Sequence, residues 1–146
     1  MTTDTIERSE LIERDAIERF IKAGNALFTL QSKRTTQHFT YKVIKGGKPH
    51  DPVWFVQTRF GPERFGYIGL MDKSLNLHHT TKSKAAEDAP CYLAIKWFLR
   101  QLKTHGDLFW IQFFHEGRCC RCGRTLTNPE SIKAGIGPEC AGKESW

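Results

Sequence analysis

Between Ala26 and Leu77 apolar residues alternate with polar ones at a period of two, the pattern of strands with one buried face. Ala26, Phe28 and Leu30 form the first run, and Ser32-Lys33-Arg34-Thr35 turns the chain into Phe39, Tyr41 and Val43, interleaved with Thr40 and Lys42. Gly46-Gly47-Lys48-Pro49 is expected to break that strand. Val53-Trp54-Phe55-Val56 follows, apolar on both faces and therefore internal to a sheet. Gly61-Pro62-Glu63 predicts a turn, and Phe65, Tyr67, Ile68 and Leu70 predict the next strand. After a turn at Met71-Asp72-Lys73-Ser74, Leu75 and Leu77 mark a last short strand. Turns this closely spaced predict an antiparallel meander, because parallel neighbours need long crossovers.

Two stretches carry a helical period instead. Asp4-Thr5-Ile6-Glu7 reads as the cap of a first helix. Ile6, Ala16, Ile17, Phe20 and Ile21 share its apolar face, Glu7, Arg8, Arg14, Asp15, Glu18 and Lys22 lie opposite, and Gly24 is the stop. A second helix is expected at about residues 88–104, capped by Asp88. Cys91, Ala94, Ile95, Phe98 and Leu102 form its wide apolar face, and Gly106 ends it. Leu108 to Phe114 is an apolar run that predicts a final strand at about 107–114. The predicted class is α+β: an antiparallel sheet packed with an N-terminal and a central helix over residues 1–112, then a small cysteine-bearing module over 113–146.

Composition supports a real core. Of 146 residues 39% are hydrophobic and 12% aromatic, enough for one domain to stabilise itself through its own core. No run approaches the ~18 consecutive apolar residues of a membrane span, and Met1 to Glu10 lacks the apolar stretch of a signal peptide. A cytoplasmic protein with no membrane partner is expected. In that reducing compartment five cysteines, three of them within Cys119–Cys122, point to metal ligation rather than disulfides. The net charge of +6 is uneven: residues 1–20 carry a balance of −3 and the rest +9. Such a basic body suits nucleic acid, and equally an acidic protein partner.

The cysteines have a metal-site spacing. Cys119-x-x-Cys122 followed by Gly123 lets two thiolates turn toward one ion, and the glycine permits the tight turn after them. Gly137-Pro138-Glu139-Cys140 returns a third thiolate. Between them Asn128-Pro129-Glu130 opens a short helical turn that Gly135 closes. One structural Zn²⁺ is expected, held by Cys119, Cys122 and Cys140, with His115 as the fourth ligand. Cys120 is the rival for that position, although adjacent ligands on one ion strain the backbone. His105 is distant in sequence, and Cys91 fits a helix core.

Glu116-Gly117-Arg118-Cys119, Cys122-Gly123-Arg124-Thr125-Leu126-Thr127, Pro129-Glu130-Ser131-Ile132 and Gly135-Ile136-Gly137-Pro138-Glu139-Cys140-Ala141 resemble a small zinc-ribbon-like domain of unknown function. That domain occurs at the C-terminus of bacteriophage, prophage and actinobacterial proteins. The resemblance covers roughly residues 113–142. It implies ligands at Cys119, Cys122 and Cys140, a histidine at the place of His115, and an intracellular, phage or mobile-element setting. Cys120 departs from the family pattern, where glycine is usual. No activity comes with the resemblance.

Catalytic arrangements are missing from the sequence. Zinc deaminases use His-x-Glu before a Cys-x-x-Cys pair, whereas His115 and Glu116 are adjacent here. His-Glu-x-x-His does not occur, Gly46-Gly47 lacks a phosphate-loop signature, and His78-His79 has only Asp72 as a neighbouring carboxylate. A non-enzymatic protein is expected. The module is rich in arginine, and Arg118, Arg121, Arg124 and Lys133, with Arg34, Arg59 and Arg64 from the sheet, are candidate nucleic-acid contacts. Sharing a face with Tyr41 or Tyr67, such cations would make the sheet a stacking platform for single strands. The rival is a protein-interaction factor that inhibits or redirects a host machine, such as an antiviral (anti-CRISPR-like) complex.

Overall fold

A computed structural model describes residues 9–62, 64–123 and 135–136 of the chain. These residues form a seven-stranded antiparallel sheet and two helices, an α+β fold. In chain order the elements are β1 (Ser9–Leu11), α1 (Arg14–Lys22), β2 (Asn25–Ser32), β3 (His38–Lys48), β4 (Asp51–Gly61), β5 (Arg64–Met71), β6 (Leu77–His78), α2 (Pro90–Thr104) and β7 (Ile111–His115). The meander β2 to β6 is continuous, as its turn spacing predicts. β7 then returns to pair with β2, and β1 closes that edge, giving the order β1-β7-β2-β3-β4-β5-β6.

Both helices cover one face of the sheet. Ile17, Phe20 and Ile21 of α1 and Tyr92, Ile95, Phe98, Leu99 and Leu102 of α2 are buried. They share one core with the inward residues Ala26, Phe28, Leu30, Tyr41, Val43, Trp54, Val56, Met71 and Phe113. The rings interlock, with Phe28 stacked on Phe113 at 4.6 Å and Phe98 on Phe113 at 5.8 Å. Aromatic pairs of this kind add about 0.5–1.5 kcal/mol beyond burial itself. Two buried polar tips tie helices to sheet. Trp54 Nε1 donates to the Lys22 carbonyl at 3.1 Å, and the Tyr41 hydroxyl donates to the Cys91 carbonyl at 2.7 Å.

Several local expectations need correction. Residues 9–11 are strand, not helix: they pair with β7, Ser9 opposite His115 and Leu11 opposite Phe113, and α1 begins only at Arg14. The predicted cap at Asp4-Thr5-Ile6-Glu7 lies outside the described residues. β3 does not break at Gly46-Gly47 but runs through them to Lys48, because Gly46 is where the Phe55 ring crosses the strand. A Cβ at Gly46 would stand 2.5 Å from Phe55 Cε2. Leu75 is a buried turn residue with φ 67°, and the last short strand is Leu77–His78. Ala89, not Asp88, is the N-cap of α2, and no side chain caps it; Pro90 enters the first turn, where a missing N–H costs nothing. Its other end closes at His105 in the left-handed region, with the Gly106 N–H donating to the Gln101 carbonyl at 2.9 Å.

Among the described residues no helix is long and apolar enough to cross a membrane.

Candidate functional site

The sheet's second face carries no helix among the described residues, and strand parity decides what it presents. Tyr41, Val43 and Val56 point into the core, so Lys42, Ile44, Phe55, Gln57 and Arg59 point the other way. On β5 a register shift opposite Val56 and Gln57 lets Ile68 and Gly69 both be buried, while Phe65 and Tyr67 stay on the second face. Register places Lys42, Gln57 and Tyr67 in one row across three strands, with Arg59 and Phe65 paired beside it. Lys42 Nζ and Arg59 Cζ lie 5.4 Å and 5.3 Å from the centre of the Phe65 ring. The Phe55 and Tyr67 rings are 6.2 Å apart. Phe55 is 38% exposed.

β7 leads into the turn at 117–123, of which Arg118 and Gly123 reach this face. His115 points inward and is fully buried, stacked on Phe20 at 5.9 Å. Glu116, one residue on, points outward and accepts a hydrogen bond from Thr29 Oγ1 at 2.8 Å. The chain then turns back on β2: the Glu116 N–H donates to the Leu27 carbonyl at 3.2 Å, and the Asn25 N–H to the Cys120 carbonyl at 2.7 Å. Cys119 and Cys120 are buried, Cys122 is exposed, and the Gly123 N–H donates to the Cys119 carbonyl at 2.9 Å. With Gly123 at φ 80°, this is the tight turn that a Cys-x-x-Cys-Gly knuckle requires.

The result is a groove of about 370 Å³ lined by Asn25, Leu27, Lys42, Arg59, Phe65, Arg118 and Gly123. Among the described residues three cations and no carboxylate line it. Arg118 comes from the module and Lys42 and Arg59 from adjacent strands, so residues far apart in sequence supply one site.

The other predicted contacts are dispersed. Arg34 sits on the β2–β3 hairpin over Trp110, 4.5 Å from the ring centre, with Lys33 beside it over Phe109 at 4.7 Å. Arg64 is exposed at the start of β5. Arg121 is turned partly inward, and its Nη1 is buried without a hydrogen-bond partner among the described residues. Arg124 and Lys133 lie outside the described residues. Of the two tyrosines, Tyr67 shares the basic face, whereas Tyr41 is buried under α2, where burial pushes its hydroxyl pKa far up. Lys42 is one of the sheet cations the sequence offers for such contacts, whereas Phe65 is expected only as a strand residue. Their opposite parity to Tyr41 and Ile68 was the available signal.

For a metal, the donor set is partly in view. Cys119, buried, and Cys122, exposed, flank a tight turn, Cys140 lies outside the described residues, and among the described residues no three potential ligands converge. His115 Nδ1 accepts the Gly117 N–H at 3.0 Å. In that tautomer a neutral ring carries its proton on Nε2, so ligation through Nε2 requires giving up the Gly117 bond. The adjacent histidines at the end of β6 take separate partners: His78 Nε2 pairs with Asp72 Oδ2 at 3.1 Å and His79 Nε2 with the Ala85 carbonyl at 2.8 Å.

The fold and groove thus define a sheet protein whose last strand leads into a cysteine-bearing turn that reaches the face opposite the two described helices. The segment carrying that turn, residues 112–145, matches a family of unknown function (DUF6011). Comparison with curated proteins and with solved structures returned no match.

Proposed function

We propose that this chain is a non-enzymatic, zinc-binding accessory protein of the phage or prophage type, which contacts nucleic acid through its basic module and the adjoining sheet face. The observation that supports this most is the groove in which Arg118 of the cysteine turn meets Lys42 and Arg59 of the sheet. Cations gathered in one groove, with no carboxylate among its described lining residues, favour phosphates, and a hydrogen-bonded turn holds Arg118 in place. One Zn²⁺ would sit on Cys119, Cys122 and Cys140, and bound there it would stiffen the turn. His115 or Cys120 completes the set, the former only by surrendering its hydrogen bond from Gly117.

Fluorescence anisotropy of labelled oligonucleotides against the full chain, over a series of salt concentrations, tests the reading. Affinity should fall steeply with salt, and Lys42→Ala, Arg59→Ala and Arg118→Ala should each weaken it and flatten the salt slope by roughly one. No binding at low salt would reject it.

A protein partner is the second reading. Leu93 and Trp97 stand 48% and 41% exposed on the outer side of α2. Beside them an apolar groove of about 270 Å³ runs between Phe39, Pro90 and Ile111. This face lies on the helix side, away from the basic groove, so a host protein and a nucleic acid would not compete for it.

A further inference from the structure

We infer that the basic face takes a single strand, with unpaired bases stacked on Phe55, Phe65 and Tyr67 and phosphates drawn along Lys42, Arg59 and Arg118. This inference rests on the nucleic-acid reading above and names the form of nucleic acid bound. Three aromatic rings lie together on β4 and β5, on the face opposite both helices. Nothing in the core needs them there. Phe55 spreads over Gly46, whose missing side chain lets the ring lie against the strand. Phe65 has two cations beside its ring, and all three groups line the groove.

A duplex cannot use this surface. Its bases are stacked inside, and reading them from a groove needs a projecting helix or ribbon. Both helices of this fold are packed on the opposite face. A duplex would therefore gain only phosphate contacts, and three rings would face a sugar–phosphate wall. An unpaired strand instead offers a π-face to each ring and its backbone to the neighbouring cations. Sequence preference should be slight, because stacking accepts every base. Two anions mark the limit of the surface: Glu116 and Glu10 lie across β7 and β1, beyond Leu27 and Thr29, and bias a strand toward the β3–β5 side.

The test uses the full chain with oligo-dT, oligo-U and a hairpin duplex of equal length, each at low and moderate salt. Both single strands should bind at least tenfold tighter than the duplex, and the ratio of dT to U reports any use of the 2′-hydroxyl. Phe65→Leu should weaken single-strand binding about tenfold and leave the salt slope unchanged, whereas Phe65→Trp should retain binding. Phe55→Leu, at a more exposed position, gives the same readout with less risk to folding. Equal affinity for duplex and single strand, or variants of the rings that bind like wild type, would overturn the inference while leaving the electrostatic groove intact. Absence of binding by all three probes would overturn both.

Discussion

Gly135 lies against the core at Phe20, and replacing it with alanine tests how the cysteine segment and the core are joined. Its φ of 78° lies in the left-handed region, where a Cβ costs about 1–2 kcal/mol. That Cβ would also stand 2.7 Å and 2.8 Å from two carbons of the Phe20 ring, where ordinary contact starts at 3.4 Å. Phe20 cannot retreat. It is fully buried, with Phe113 at 5.6 Å, His115 at 5.9 Å and Phe28 at 6.4 Å around it. Overpacking at such a site costs about 1–3 kcal/mol, and lower unfolded-state entropy returns less than 1. The net loss should be about 2–4 kcal/mol, or a fall in Tm of roughly 4–15 °C for a chain of this size.

Far-ultraviolet circular dichroism reports the sheet, so a lowered melting point by that signal places the strain in the common core. Two companions isolate the cause. Gly123→Ala also lies at positive φ, 80°, but its Cβ meets only the end of the Asn25 side chain, which can swing away, so it should cost less than Gly135→Ala. Phe20→Leu removes part of the ring, and in the double variant the penalty of Gly135→Ala should shrink by 0.5 kcal/mol or more, as expected of residues in contact. If Gly135→Ala melts within about 1 °C of wild type, the segment is not seated on Phe20 and the shared core is refuted.

Native mass spectrometry should find one zinc per chain, lost in Cys119→Ser and in Cys140→Ser; of Cys120→Ser and His115→Asn, only the one that removes the fourth ligand should lower zinc retention under chelator. Tyr41→Phe deletes a buried hydrogen bond and should cost about 1 kcal/mol near neutrality in a denaturant titration. Burial raises the Tyr41 pKa above its ordinary 10.0, so the unfolded chain loses that proton first and wild-type stability falls as pH climbs past 10. Tyr41→Phe lacks that titration, and its deficit should narrow there; a deficit that widens would reverse the assigned sign.

Much of the fold was legible because its signals are local. The alternation of Ala26, Phe28 and Leu30, and of Phe39, Tyr41 and Val43, is a direct imprint of one covered face. Turn residues at Gly61 and Pro62 separate β4 from β5 as expected. What escaped depends on partners distant in sequence. Ser9-Glu10-Leu11 has no strand signature of its own and is fixed by pairing with β7, more than a hundred residues later. The glycines at 46 and 47 read as a break because a glycine's local preference gives no hint of a ring arriving from β4. Arg59 and Arg118 could be nominated for their charge, but their meeting depends on β7 lying against β2. Arg34 had the same charge and ended elsewhere, stacked on Trp110.

The site follows from one strand continuing its alternation into a turn. Along β7, Phe113 and His115 face the core and Phe114 and Glu116 face away. The order persists through the bend at Gly117, φ 79° and buried: Arg118 is exposed and Cys119 buried, and the alternation ends at Cys120, which is buried too. Arg118 and Gly123 bracket the proposed ligands Cys119 and Cys122, and both line the groove. The Gly123 carbonyl accepts a long hydrogen bond from Arg118 Nη1 at 3.4 Å, and the Gly123 N–H is held by Cys119. Stiffening the two thiolates would therefore stiffen the wall of the groove that, among the described residues, does not come from the sheet. A metal placed there needs no role in folding the domain, whose core already reaches Ile136. Its effect falls on the position of one guanidinium relative to Lys42 and Arg59, which is the quantity a phosphate would read.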